Sequence, residues 1–347
     1  MKICIQQRKY TTFKNYSIRN GISNCGLESK KAKSWKSTFF QNSLECLRQN
    51  LFSLFCCMIY RVGNELEALH LASHENVLRV YGLAEWEGSI ALITELMHGG
   101  NLRLLLGNVS VDLRPVLRLR ICEEISSGLA FIHNIKHNKG QVHGDLKPDN
   151  VLLSKDLHCK IGDFGSSRIV SFTGRTTATD VGQVKAQFTK VYAAPERLRD
   201  PFTRPRRHQD AYSYGLIVYE VLSRELPHQF GVSEEDYLRA IKNGRRPGTE
   251  IIDELKKSSS NAKDKEVIQV LKNVMMKCWQ NKPEDRPDMR DIRNELQQLM
   301  STRERNEVTQ SVAKAQESYH PYDPSSSNQF KISLDCFVPF HRFNRSG

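Results

Sequence analysis

The chain has 347 residues, 39% of them hydrophobic, enough to bury the core of one large domain or two smaller ones. Its formal charge of +12 raises nucleic acid or an anionic membrane surface as partners, but Lys and Arg are spread along the chain rather than gathered in a block, so neither is expected. The nine cysteines hold no C-x-x-C pair, and adjacent Cys56 and Cys57 suit neither a zinc knuckle nor a disulfide framework, so free thiols in a reducing compartment are the simple reading. The N-terminus lacks the apolar stretch of a secretory signal. The longest apolar run, residues 51–60, falls well short of the roughly twenty residues a bilayer-crossing helix needs, so no membrane span and a cytoplasmic or nucleocytoplasmic location are expected.

In chain order, the first sixty residues contain only Gly21 and Gly26, and a basic segment, Lys30-Lys31-Ala32-Lys33-Ser34-Trp35-Lys36, reads as a strand. No lysine follows between Lys36 and Lys136. Leu66, Leu69 and Ala72 recur near helical spacing beside Glu65 and predict a helix with a core-facing stripe. Residues 77–83 and 89–93, apolar and partly β-branched, predict two strands joined by the polar turn Glu85-Trp86-Glu87-Gly88. Thr94-Glu95-Leu96-Met97 follows, then Gly99-Gly100-Asn101-Leu102. Residues 115–133 carry Val116, Leu117, Leu119, Ile121, Ile125, Leu129, Ala130 and Ile132 in a helical pattern, with Pro115 tolerated at the start. His133 and His137, four apart, form a conceivable metal pair, for which a solvated loop is the simpler account.

The stretch His143-Gly144-Asp145-Leu146-Lys147-Pro148-Asp149-Asn150 comes next, ahead of the apolar run Val151-Leu152-Leu153. Asp163-Phe164-Gly165 and Ala194-Pro195-Glu196 follow, separated by a segment rich in Ser and Thr that is either a set of modification sites or a mobile polar loop. Residues 210–222 begin a buried helix, and residues 237–241 and 267–276 are amphipathic. After Met300 the periodicity fades, and residues 301–347 read as a disordered tail.

These three ordered motifs resemble those of protein kinases, and their character is that of the tyrosine-kinase-like group, nearest to receptor-interacting serine/threonine kinases. The resemblance is strong over residues 64–300 and weak over 1–63. It implies an α+β, two-lobed fold: a small β-rich N-lobe with one main helix in residues 1–95, and a larger, mainly helical C-lobe in residues 96–300. The implied activity is transfer of the γ-phosphate of ATP, with Mg2+, to Ser or Thr of protein substrates in signalling, with signalling adaptors as further partners. Phosphoryl transfer is mainly positioning and charge neutralisation, for which carboxylate and amide oxygens hold magnesium. By resemblance, Asp145 is the base and Lys147 steadies the phosphate. Asn150 and Asp163 hold metal, and Thr189 hydrogen-bonds Asp145 and Lys147. Thr94, Glu95 and Met97 form the gatekeeper and adenine hinge, and Glu65 is the helix glutamate that pairs with a lysine. Glu196 pairs with Arg286 as an architectural contact.

Three departures set the alternatives. The glycine-rich phosphate loop is missing, and Glu45 falls where the phosphate-gripping lysine belongs. Either Lys33 or Lys36 substitutes, or nucleotide binding is impaired and the chain is a pseudokinase scaffold. Gly144 replaces the Arg of H-R-D, which removes the main electrostatic reward for activation-loop phosphorylation.

Overall fold

The computed structural model describes residues 2–7, 15–17, 73–86, 89–135, 141–163, 189–202, 205–230, 233–321 and 337–339. They belong to two compact units, one made of Met1–Ser73, Arg79–Leu96 and Pro324–Gly347, the other of His74–Leu78 and Met97–Asp323.

Among the described residues the first unit is an antiparallel sheet. Strand β1 (Lys2–Gln7) pairs with β2 (Asn15–Ser17) on one side and β4 (Ser89–Glu95) on the other, and β4 pairs with β3 (Val80–Trp86). A C-terminal strand, Phe337–Pro339, closes the far edge against β3, with Gly82 opposite Pro339. Strand β3 starts three residues later than the apolar pattern predicts, because Val77 and Leu78 are drawn elsewhere. In the second unit Leu78 N–H donates to Ile161 O at 2.9 Å, Ile161 N–H donates to Asn76 O at 2.9 Å, and Val77 bridges Ile161 in parallel.

The second unit is mainly helical. Helix α1 (Leu102–Gly107) is capped by the Asn101 side chain, which accepts from Leu104 N–H. Helix α2 (Pro115–Asn134) begins with proline at its first turn and buries all eight apolar positions of its predicted stripe. The hairpin β5 (Val151–Leu153) and β6 (Cys159–Ile161) packs beside α2. Helices α3 (Pro195–Arg199) and α4 (Arg207–Ser223) follow, and α4 is buried from Gln209 to its end. Tyr214 within it donates to Cys122 O of α2 at 2.9 Å. Helices α5 (Glu234–Lys242), α6 (Glu250–Ser258), α7 (Ala262–Cys278) and α8 (Met289–Ser301) follow, with α5 against α3, α7 against α4 and α8 against α2. No helix among the described residues is long and apolar enough to cross a membrane.

Residues after Met300 do not all form a tail. Helix α9 (Arg305–Gln316) buries Ser311, Val312 and Ala315 and touches α2. Its face, Val308, Val312 and Ala315, has helical spacing but small side chains, so the apolar signal is weak although the stripe is real.

Glu196 and Arg286 pair as the sequence implies, through two bonds of 2.7 and 2.8 Å. The Arg286 side chain is fully buried, lies over the Tyr212 ring, and also donates to the His208, Gln280 and Asn281 carbonyls. Removing the carboxylate leaves that cation buried and short of its anion, so Glu196→Ala is expected to cost about 3 kcal/mol in urea unfolding.

A second test concerns the β5–β6 turn, where His158 Nδ1 lies 2.7 Å from Glu124 Oε1. That bond raises the His158 pKa above its usual 6.5. Its stabilising contribution is complete below that value and is lost as pH rises through the folded-state pKa. Thermal unfolding of His158→Gln should therefore fall below wild type at about pH 6 and approach it at about pH 9; an equal gap at both would contradict this.

Candidate catalytic site

The site is built on one buried carboxylate. Asp210 sits in the first turn of α4 at 1% exposure. Its Oδ2 accepts from His143 N–H at 2.8 Å and lies 2.8 Å from His133 Nε2, while Oδ1 accepts from Gly144 N–H at 2.8 Å. Burial alone pushes such a group up, but the His133 hydrogen bond, the nearby imidazoles and the Gly144 N–H outweigh it, and the Asp210 pKa is lowered. His133 is thus engaged with Asp210, and His137, its conceivable metal partner, lies outside the described residues.

The loop held by Asp210 carries the H-G-D motif. Gly144 has φ +77°, a left-handed conformation that a Cβ disfavours. Glycine therefore suits the backbone here while giving up the cation an arginine would supply. The buried His143 ring accepts from Asp145 N–H at its Nδ1 (3.3 Å) and reaches Gly162 O with Nε2 (2.9 Å). Those partners select the tautomer protonated on Nε2.

Asp145, at 9% exposure, is the centre of a three-residue network. Its Oδ1 accepts from Thr189 N–H at 2.8 Å and its Oδ2 from Lys147 Nζ at 3.0 Å, while Lys147 Nζ also donates to Thr189 Oγ1 at 2.6 Å. Thr189 lies outside the loop, just before α3, so the network ties two distant stretches of chain together. Asn150 ends the short turn Pro148–Asn150, with its N–H on Lys147 O at 3.0 Å, and donates its side-chain amide to Asp145 O at 2.8 Å, which leaves its Oδ1 as the acceptor end. Gly162 N–H donates to Asn150 O at 2.9 Å. The next residue, Asp163, is exposed and left-handed at φ +55°, so the peptide leading into it is held by both Asn150 and His143.

Of the remaining predicted residues, Thr94 is 1% exposed in the first unit and donates through Oγ1 to Glu95 O at 3.1 Å. The Glu95 carboxylate accepts from Arg79 N–H at 2.8 Å, just ahead of β3. In the second unit Met97 packs with Leu78 and Leu152. Lys33, Lys36, Glu45 and Glu65 lie outside the described residues, as do 164–188, which hold most of the Ser/Thr-rich segment. Among the described residues no cluster of His, Cys, Asp or Glu forms a ready metal cage.

Sequence reasoning missed Arg103, which donates to the buried Glu220 carboxylate and to the Tyr192 hydroxyl, 3.7 Å from Asp149 of the loop. Burial raises the Tyr192 pKa, and Glu220 is raised as well despite the guanidinium. No local pattern announces this cluster, since its partners are scattered along the chain.

The model of the family "Protein tyrosine and serine/threonine kinase" matches residues 59–296. Receptor-interacting serine/threonine-protein kinase 1 of Homo sapiens is 28% identical over 289 residues, 81% of this chain and 40% of that protein. Receptor-interacting serine/threonine-protein kinase 3 of Rattus norvegicus is 32% identical over 239 residues, 67% of this chain and 47% of that protein. Receptor-interacting serine/threonine-protein kinase 2 of Bos taurus is 30% identical over 247 residues, 70% of this chain and 43% of that protein. The chain thus spans less than half the length of these relatives.

Replacing Asp210 by Asn sets an amide NH2 against N–H donors in a buried site, and is expected to lower the unfolding free energy by about 3 kcal/mol. The native Asp210 pKa is depressed, so its contribution is present above the unfolded value and lost as pH falls through the lower folded value. The gap between wild type and Asp210→Asn in urea unfolding should hold at neutral pH and narrow as the pH falls below the unfolded-state value.

Proposed function

The chain belongs to the protein tyrosine and serine/threonine kinase family, and from that premise we propose that it transfers the γ-phosphate of ATP to Ser or Thr hydroxyls of proteins. The observation that carries this reading is the Lys147 ammonium bonded to both Asp145 and the Thr189 hydroxyl. An attacking hydroxyl needs an acceptor for its proton, and Asp145, fixed through both oxygens, offers one whose orientation does not have to be found during the reaction. Lys147 balances the carboxylate charge and supplies a cation beside the transferred group. Thr189 N–H and Oγ1 hold the two in register.

Asn150 and Asp163 fit magnesium. The Asn150 amide nitrogen is engaged, which leaves its oxygen for a hard cation, and Asp163 adds an exposed carboxylate. The metal, when bound, supplies neutralisation of the phosphate charge. The backbone of residues 95–97 would hydrogen-bond the adenine, with Met97 steadied by Leu78 and Leu152. Glu65 and one of Lys33 or Lys36 would complete the phosphate grip. The reading extends to protein substrates and adaptors in signalling.

A second reading, a pseudokinase acting as a scaffold, is favoured by the lysine-free stretch between Lys36 and Lys136 and by Glu45 within it. Incorporation of labelled phosphate by the purified chain with MgATP separates the two. Incorporation is expected above that of Asp163→Asn, and its loss in a Lys33→Ala plus Lys36→Ala double variant would identify the substitute lysine. Wild-type incorporation no greater than that of Asp163→Asn, on itself or on a general Ser/Thr substrate, would leave the scaffold reading standing.

A further inference from the structure

The family match ends at residue 296, yet the second unit continues past it. Helix α9 lies on α2, and the chain leaving it turns back toward the start of α1. Gln316 Nε2 donates to Lys155 O at 2.8 Å, and Asn108 Nδ2 donates to Ser318 O at 3.2 Å. These anchors deliver Tyr319 to a buried position, 6% exposed, where its hydroxyl donates to Gly99 O at 2.8 Å and lies 3.5 Å from Asn101 O. Burial pushes the phenol pKa upward, so the hydroxyl keeps its proton at neutral pH.

Gly99 stands two residues after Met97 and has no room for a side chain. Its N–H donates to Leu153 O at 2.8 Å, Leu153 N–H donates back to Gly100 O at 2.9 Å, and a Cβ on Gly99 would fall 2.2 Å from Ser154 O. The β5 backbone therefore holds one side of this peptide, and Tyr319 satisfies the carbonyl on the other. A buried carbonyl without a partner is costly, so the hydroxyl and the conformation of residues 97–101 support each other.

We propose that residues 305–321 form a brace for residues 97–101, with Tyr319 as a positioning residue that raises affinity for nucleotide. This role rests on the reading that residues 95–97 present backbone to adenine. The brace uses a segment that the family match does not include, so control of nucleotide affinity would reach the site from whatever acts on the C-terminal helix.

The test titrates a fluorescent ATP analogue with magnesium into the full chain as wild type, Tyr319→Phe and Tyr214→Phe. The last loses a buried hydroxyl bond of the same kind, to Cys122, away from residues 97–101. Tyr319→Phe is expected to bind about three- to tenfold more weakly, with faster amide exchange at Gly99 and Leu153 but not within α4. Tyr214→Phe should lose stability and keep its affinity. Equal affinity of Tyr319→Phe and wild type, or equal weakening in both variants, overturns the brace alone. No binding by the wild type overturns the nucleotide reading itself, and this role with it.

Discussion

The Asp210 carboxylate is the constraint on which the rest of the site depends. Placing an ionised carboxylate at 1% exposure is costly, and the cost is offset only because three groups, His133, His143 N–H and Gly144 N–H, converge on its two oxygens. One comes from a helix and two from the loop. His133 lies in the last turn of α2, His143 reaches across to Gly162, and Gly144 precedes the proposed base. One buried charge therefore joins the central helix, the loop and the strand end that leads into Asp163.

Two left-handed residues mark where this arrangement meets chemistry. Gly144 adopts its conformation without steric cost, whereas Asp163 does so as a non-glycine residue and must be held there by its surroundings. The holding is visible in the preceding peptide, where Gly162 bonds Asn150 through its N–H and His143 through its carbonyl. With glycine at 144, the loop keeps its shape through Asp210 and offers no guanidinium there for a phosphorylated activation segment. The buried Asp210 charge holds the loop geometry from beneath.

Much of the second unit was legible because its signals are local. The α2 stripe, the H-G-D-L-K-P-D-N loop and the Ala194-Pro195-Glu196 motif each lie within a few turns of chain, and the Glu196–Arg286 and Thr189–Asp145 contacts followed from the family resemblance. What could not be read depends on partners remote in sequence or on weak stripes. Arg103 with Glu220 leaves no periodic trace. Helix α9 is stabilised by Val312 and Ala315, too small to stand out in a polar segment, and by the Tyr319 hydroxyl, whose acceptor lies more than two hundred residues upstream. Val77 and Leu78 look like strand residues because an apolar, β-branched pair reads the same whether it pairs in one sheet or is drawn to Ile161.

On the proposed function, chemistry sits in the loop and stability in the carboxylate beneath it, and the two are separable. Phosphate transfer from MgATP by Asp145→Asn, measured at equal folded fraction beside wild type, tests this most directly. A loss of about a hundredfold or more is expected. Undiminished transfer by that variant would contradict it.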